Sequence, residues 1–400
     1  MDSKKKQRAR LIFIFFIATL CLGSIAIVDQ FFYHIAGSTT EHIGDQRFIP
    51  IRERGPGLEI IQQPIPSGDQ QVADSLEGKN LYTLEIDSKG FIKPSELYKT
   101  PDFKIAFLGG STTELQFVDP LNRFAYKSTE ILSQKLKLKI NSLNGAMSGN
   151  SSVHSLTIFL NKLLPEQPNL VVFIHSFNDL VQLMYTRGTY WGPGPRGVIY
   201  RRSEICRRLD FICSANNFSS IVKNLLLGSS HVAGLLAPHI ANRVQSSLYS
   251  RFFTERSDEW NEVTAEQLVL DSQKLLKTYR TNLEIFVAMA KAAHIIPILA
   301  TEASRLKKIP DPFILNYFET TFAKRDLGVT YNKFRKLFNA FNEEIRKVAK
   351  EQNVQLIDLA KEVPQENKFM ADIVHYNDTG SIYVANIIAT ALEPTLKKLK

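Results

Sequence analysis

Five short runs of β-branched and aromatic residues recur along this chain, and each ends in a polar or glycine-bearing stretch. They are KIAFL (104–108), KINSLN (139–144), NLVVFIH (169–175), HIIPILA (294–300) and VQLIDLA (354–360). Segments of helical character separate them: 121–137, near 153–164, 262–293, 330–351 and a closing helix over 379–399. Strands that alternate with helices form βαβ units, and a parallel sheet must be covered by helices on both faces. The pattern predicts an α/β fold: five parallel core strands in a three-layer α/β/α domain spanning 101–400. The rhythm breaks over 180–260, where Gly188, Gly192, Pro193, Gly194 and Pro195 precede two apolar runs, so this stretch reads as an insertion. Residues 29–100, with Pro50, Pro56, Pro64 and Pro66 and no helical period, read as an extended stalk, with a short strand at TLEID (83–87).

The other constraint lies at the N-terminus. Residues 11–28, LIFIFFIATLCLGSIAIV, carry no charge. As a helix they rise ~27 Å, close to the ~30 Å of a hydrocarbon core. Lys4, Lys5, Lys6, Arg8 and Arg10 precede them, against the single acid Asp2. Positive-inside logic keeps that basic tail (1–10) in the cytoplasm and places the rest of the chain on the other side, as a single-pass signal anchor. A removable signal peptide ending near Ser24 and Ala26 is the alternative, and it also exports the body of the protein. A mean hydropathy of −0.12 excludes a polytopic membrane protein. Of the net charge of +9, +4 lies in the tail and the rest is spread along the chain, with a local cluster at Arg201, Arg202, Arg207 and Arg208. No aromatic-and-basic recognition motif accompanies it, so nucleic acid is not an expected partner.

Only three cysteines occur. Cys206 and Cys213 are spaced to pair in an oxidising compartment, with two unpaired thiols as the alternative. No CxxC, HExxH or ligand-spaced histidine cluster is present, so no metal is expected. Asn150, Asn217 and Asn377 begin N-x-[ST] triplets. Two of these overlap the candidate site loops, where a glycan would obstruct substrate. They read as chance matches and favour a bacterial envelope, the periplasmic side, over a secretory lumen.

Parallel sheets place binding sites beyond the carboxyl ends of their strands. The polar residues at those ends are Ser111 in GGSTTE, Gly149 in NGAMSGNSS, Asn178 in HSFNDL, and Asp372 with His375 in ADIVHYND. These are the parts for acyl transfer. A serine hydroxyl attacks well only when a base takes its proton, and His375 is the candidate base for Ser111. Asp372, three residues before it, is placed to bond the other imidazole nitrogen and stabilise the imidazolium. An oxyanion needs donors. The backbone N–H groups of Ser111 and Gly149 and the Asn178 amide are the candidates.

In this order and at these strand ends, the blocks GGST, SGN, FND and DIVH resemble those of the SGNH hydrolase superfamily, the GDSL-type esterases and lipases. The resemblance covers roughly 104–179 and 294–395. It implies a flavodoxin-like sheet and neither metal nor organic cofactor. Two positions depart from the family pattern. Gly110 stands where the family has an acidic residue before the serine, and Ser176-Phe177 precede Asn178 where a glycine is common.

Other residues have plainer expected roles. Asp179 braces its loop. Asn377 or Asp378 caps the closing helix. His154, His231, His239 and His294 are structural or surface groups, while His175 is a candidate to line the site. Tyr185, Tyr190, Trp191 and Tyr200 either stack on sugar rings at the pocket wall or pack a small subdomain. The expected function is a serine esterase that removes acyl groups, O-acetyl foremost, from a cell-envelope glycan. An acyltransferase with the same residues, a lipase and a non-catalytic glycan-binding or assembly protein are the alternatives.

Overall fold

The computed structural model describes residues 51–62, 81–186, 188–190, 271–320 and 329–400. All belong to the larger of two compact units, residues 50–199 and 259–400. The expected membrane segment at 11–28, the Cys206–Cys213 pair, Trp191, Tyr200, His231, His239 and most of the 180–260 insertion lie outside the described residues. Among the described residues, no helix is long and apolar enough to cross a membrane.

Two short strands, β1 (Glu59–Gln62) and β2 (Tyr82–Glu85), pair antiparallel. The main sheet follows: β3 (Phe103–Gly109), β4 (Ile140–Asn144), β5 (Leu170–Ile174), β6 (Ile296–Ala300) and β7 (Gln355–Ile357). All its pairings are parallel, in the order β4-β3-β5-β6-β7. Numbered within this sheet, the order is 2-1-3-4-5, the flavodoxin-like doubly wound arrangement, whose switch point lies between β3 and β5.

The helices, in chain order, are α1 (Ser111–Glu114), α2 (Phe124–Leu136), α3 (Ser152–Ile158), α4 (Phe177–Tyr185), α5 (Ser272–Ala292), α6 (Pro312–Phe318), α7 (Tyr331–Glu351), α8 (Leu359–Glu362) and α9 (Asp378–Leu399). A five-residue π turn, Phe159–Leu163, extends α3.

Strand alternation sorts the core into two layers. Ala106, Leu108, Val171, Phe173 and Leu299 face α3, α4, α5 and α7. Ile105, Phe107, Leu170, Val172, Ile174 and Ile298 face α2 and α9. These two clusters make the domain a three-layer α/β/α sandwich.

Three sequence expectations need correction. Residues 51–62 and 81–100 are packed parts of the domain and not an extended stalk. Ile51 and Phe91 join the core beside α3, and Tyr82, Leu84 and Ile86 are buried. Buried cations fasten the segment: Lys162 Nζ lies 3.1 Å from Glu53 Oε2 and bonds Gly90 O. Arg123 donates to Thr83 O at 2.6 Å and to Lys93 O at 3.2 Å. Prolines hide this packing from a periodicity reading, because the segment is held by side-chain ties from distant residues.

The chain past Asn178 does not leave the sheet edge at residue 180 either; it continues as α4 to Tyr185, with Leu180, Leu183 and Met184 in the core. The last strand stops at Ile357 and not at 360, because Asp358 turns the chain into α8 and accepts from Thr301 Oγ1 at 2.8 Å.

Candidate active site

Ser111 sits where β3 turns sharply into α1. The turn needs small residues. A Cβ at Gly109 would come within 2.1 Å of Thr113 Oγ1 and 3.0 Å of Ile174 O. Gly110 is extended (φ −94°, ψ −150°), and a Cβ there would lie 2.3 Å from Asn178 Nδ2. Gly110 is therefore the floor on which the Asn178 amide rests.

The loop after β4 carries Gly149 at φ +78°, a left-handed conformation that glycine adopts at little cost. Neither the Gly149 nor the Ser111 N–H takes part in the backbone hydrogen bonds among the described residues. Asn178, the second residue of α4, donates from Nδ2 to Asn150 O at 2.9 Å, which ties the third block to the second.

Asp179 strengthens that tie, as a bracing residue should. Both its oxygens accept from Ser152 N at 3.0 Å, and Oδ1 also accepts from Tyr190 OH at 2.5 Å. Burial outweighs these bonds and lifts its carboxyl to about 6.

The fourth block forms a tight loop. Asp372 Oδ1 accepts from the N–H groups of Val374 (2.9 Å) and His375 (2.8 Å). Asp372 Oδ2 lies 2.6 Å from His375 Nδ1, and His375 Nε2 lies 2.7 Å from Ser111 Oγ. A hydroxyl, an imidazole and a carboxylate from residues 111, 375 and 372 thus form one hydrogen-bonded chain.

Burial works against charge on both partners of the His375–Asp372 pair, but each charge favours the other. The Asp372 carboxyl is held below its ordinary 3.8 by His375 and by the two backbone donors. The His375 imidazole is held above its ordinary 6.5 by Asp372, with further help from Glu302 and Glu114. The His375 side chain is 40% exposed, so an incoming molecule reaches it.

The loop is set from outside as well. Arg305 donates its N–H to Ile373 O at 2.8 Å and Nη1 to Met370 O at 3.1 Å. Asn377 is the α9 cap, accepting from Gly380 N at 2.9 Å. Asp378 is engaged elsewhere and accepts from Asn122 Nδ2 at 2.8 Å.

The structure decides two alternatives about the surroundings. His175 does not line the site: it is buried, with Nε2 2.8 Å from Ser155 Oγ, and burial pulls its imidazole down to about 3. It is therefore neutral at ordinary pH, and its approach to Asp179 at 3.6 Å is no ion pair. Tyr185 is a core residue and Tyr190 spends its hydroxyl on Asp179, so these two aromatics pack the domain. His154 caps α3 together with Ser151. Among the described residues, no cluster of three or more His, Cys, Asp or Glu side chains is placed to hold a metal.

The sequence reading missed several residues that shape the site. Glu114, fully buried, accepts from Arg54 Nε at 2.6 Å and from Ser148 N at 2.9 Å. Arg52 donates to Ser148 O at 2.9 Å and to Asn150 Oδ1. Glu302 bonds Thr112 and Phe177. The acid at 114, one turn beyond the serine, was the one available signal; the arginines sit too far away in sequence to be paired with it.

No family model matches the chain. No curated protein sequence matches it either. Solved structures do align with it. The acetyl xylan esterase AlAXEase shares 16% identity over 72% of this chain and 99% of its own, with a TM-score of 0.39. Axe2, an acetylxylan esterase from Geobacillus stearothermophilus, shares 13% over 73% and 94%, at 0.40. A GDSL-like lipase from Bacteroides thetaiotaomicron shares 13% over 73% and 88%, at 0.36. The fold assignment made above stands on the strand order and the two helix layers of the molecule itself.

Proposed function

We propose that this chain is an SGNH-type serine esterase that hydrolyses acyl esters, O-acetyl groups on a cell-envelope glycan foremost. The observation that carries the reading is the continuous hydrogen-bonded chain from Ser111 Oγ through His375 to Asp372, at 2.7 and 2.6 Å. Ser111 Oγ attacks the ester carbonyl while His375 Nε2 takes its proton; Asp372 holds the imidazole in place and stabilises its positive form. The carbonyl oxygen gains charge and is met by the N–H groups of Ser111 and Gly149 and by the second N–H of the Asn178 amide. His375 returns the proton to the leaving alcohol. Water, activated by the same imidazole, then releases the acid from the acyl-serine.

The basic tail and the apolar run at 11–28 support a single membrane span, with this domain on the non-cytoplasmic side of a bacterial envelope. Membrane fractionation of the full chain, with and without residues 1–28, tests that placement. Activity is tested with p-nitrophenyl acetate and longer esters, beside Ser111→Ala and His375→Ala. Each substitution is expected to remove activity by a factor of about 10⁴ or more. Turnover unchanged in both would end the esterase reading. A preference for long chains would redirect it to lipids, and acylated sugar formed from an added acceptor would redirect it to transfer.

A further inference from the structure

Glu302 lies two residues past the end of β6 and is buried. It takes no part in the chain from Ser111 to Asp372. Its two carboxylate oxygens serve different parts of the site. Oε1 accepts from Thr112 Oγ1 at 2.8 Å, on the residue after Ser111. Oε2 accepts from Phe177 N at 2.7 Å, on the residue before Asn178.

The backbone of Glu302 is itself pinned. Its N–H donates to Asn342 Oδ1 at 3.0 Å, and its carbonyl accepts from Asn342 Nδ2 at 2.9 Å. Asn342 Oδ1 also accepts from Ser176 Oγ at 3.0 Å. A carboxylate is a costly group to bury, and a packing role alone is met more cheaply by an apolar residue. The elements it joins need outside support. α1 is a single turn, too short to be stable alone. The Phe177 N–H is one of the orphan donors at the start of α4.

We propose that Glu302 is a positioning residue, a two-armed bracket that keeps the Ser111 turn in register with the helix start bearing Asn178. Nucleophile and oxyanion donor then hold one spacing while the tetrahedral intermediate forms. The part this plays in catalysis rests on the esterase reading above, whereas the bracket itself does not. The charged groups that act on Glu302 are Asp179 and His375: burial and Asp179 push its carboxyl up, and His375 pulls it down. Reciprocally, His375 is acted on by Asp372 from its own loop, by Glu302 beyond β6 and by Glu114 on α1.

Two substitutions test the bracket. Thr112→Val cuts one arm. Glu302→Ala removes both arms. With p-nitrophenyl acetate, Thr112→Val is expected to lower kcat by about tenfold to a hundredfold with KM within about twofold, the pattern of a misplaced reacting group. Glu302→Ala is expected to lower kcat at least as far, again with little change in KM, a split that general loss of packing does not produce. The double variant should be no worse than the worse single one, since both act through one contact.

Wild-type kcat in Thr112→Val, or losses that multiply in the double variant, would each overturn the proposal. Amide hydrogen exchange at Phe177 separates this outcome from failure of the esterase reading, because it needs no turnover. If the wild type cleaves no ester, faster exchange of the Phe177 N–H in Thr112→Val and in Glu302→Ala still supports the bracket, and exchange unchanged in both refutes it.

Discussion

Substitution of Gly110 by alanine tests the proposed oxyanion donor, Asn178, apart from the rest of the fold. The added Cβ would stand 2.3 Å from Asn178 Nδ2 and 3.0 Å from Asn150 O, where ordinary contact begins at 3.4 Å. The Asn150 carbonyl is backbone, so the Asn178 side chain is the group that gives way, by about 1 Å. The amide then leaves both Asn150 O and the place where the proposed mechanism forms the oxyanion. Losing one such donor costs about 2.7–4 kcal/mol of transition-state stabilisation, or about 10²–10³ in kcat.

The cost to stability is much smaller. The lost hydrogen bond is worth about 0.5–1.5 kcal/mol. Alanine at an extended position recovers up to about 0.4–1 kcal/mol by restricting the unfolded chain. Melting temperature should therefore move by no more than about 3 °C. The assay is kcat and KM on p-nitrophenyl acetate for Gly110→Ala, Asn178→Ala and the pair together. If the alanine acts by displacing Asn178, the double variant is no slower than the slower single one. A Gly110→Ala enzyme within about threefold of wild type, or losses that multiply in the double variant, would refute the reasoning.

Further expectations follow from the same loops. Because the His375 imidazole is held above 6.5 and, as the proposed base, works only when neutral, kcat/KM should fall as pH is lowered through a midpoint above 6.5. Asp372→Asn should lower that midpoint and reduce kcat by about 10⁴. The pair also stabilises the fold. The Asp372 contribution is complete above its unfolded value of 3.8 and is lost as pH falls through its lower folded value. The His375 contribution is complete below 6.5 and is lost as pH rises through its higher folded value. Comparing denaturant midpoints of wild type and Asp372→Asn across pH 3–8 should show the largest difference between those two unfolded values. Gly380→Ala should destabilise by about 1–3 kcal/mol or more, because its Cβ would lie 1.8 Å from the backbone oxygen of Phe369. An unchanged denaturant midpoint would show that the 369–376 loop tolerates displacement from α9.

What the sequence determined by itself was the part written in short-range pattern. Alternation and helical period gave the five core strands to within a few residues, since burial on both faces demands continuous apolar runs. The strand-end rule selected Ser111, Gly149, Asn178, Asp372 and His375 as residues that belong on one edge, because a parallel sheet leaves only that edge for loops from all its strands. The tertiary structure decided what no local pattern encodes. It decided that Gly110 lies beneath the Asn178 amide, that Glu302 bridges two loops, that His175 points into the core, and that Arg52 and Arg54 from a supposed stalk reach the site. Each of these depends on which distant groups share a buried volume. There a charge or polar atom must find a partner wherever the fold provides one, however far off it lies along the chain.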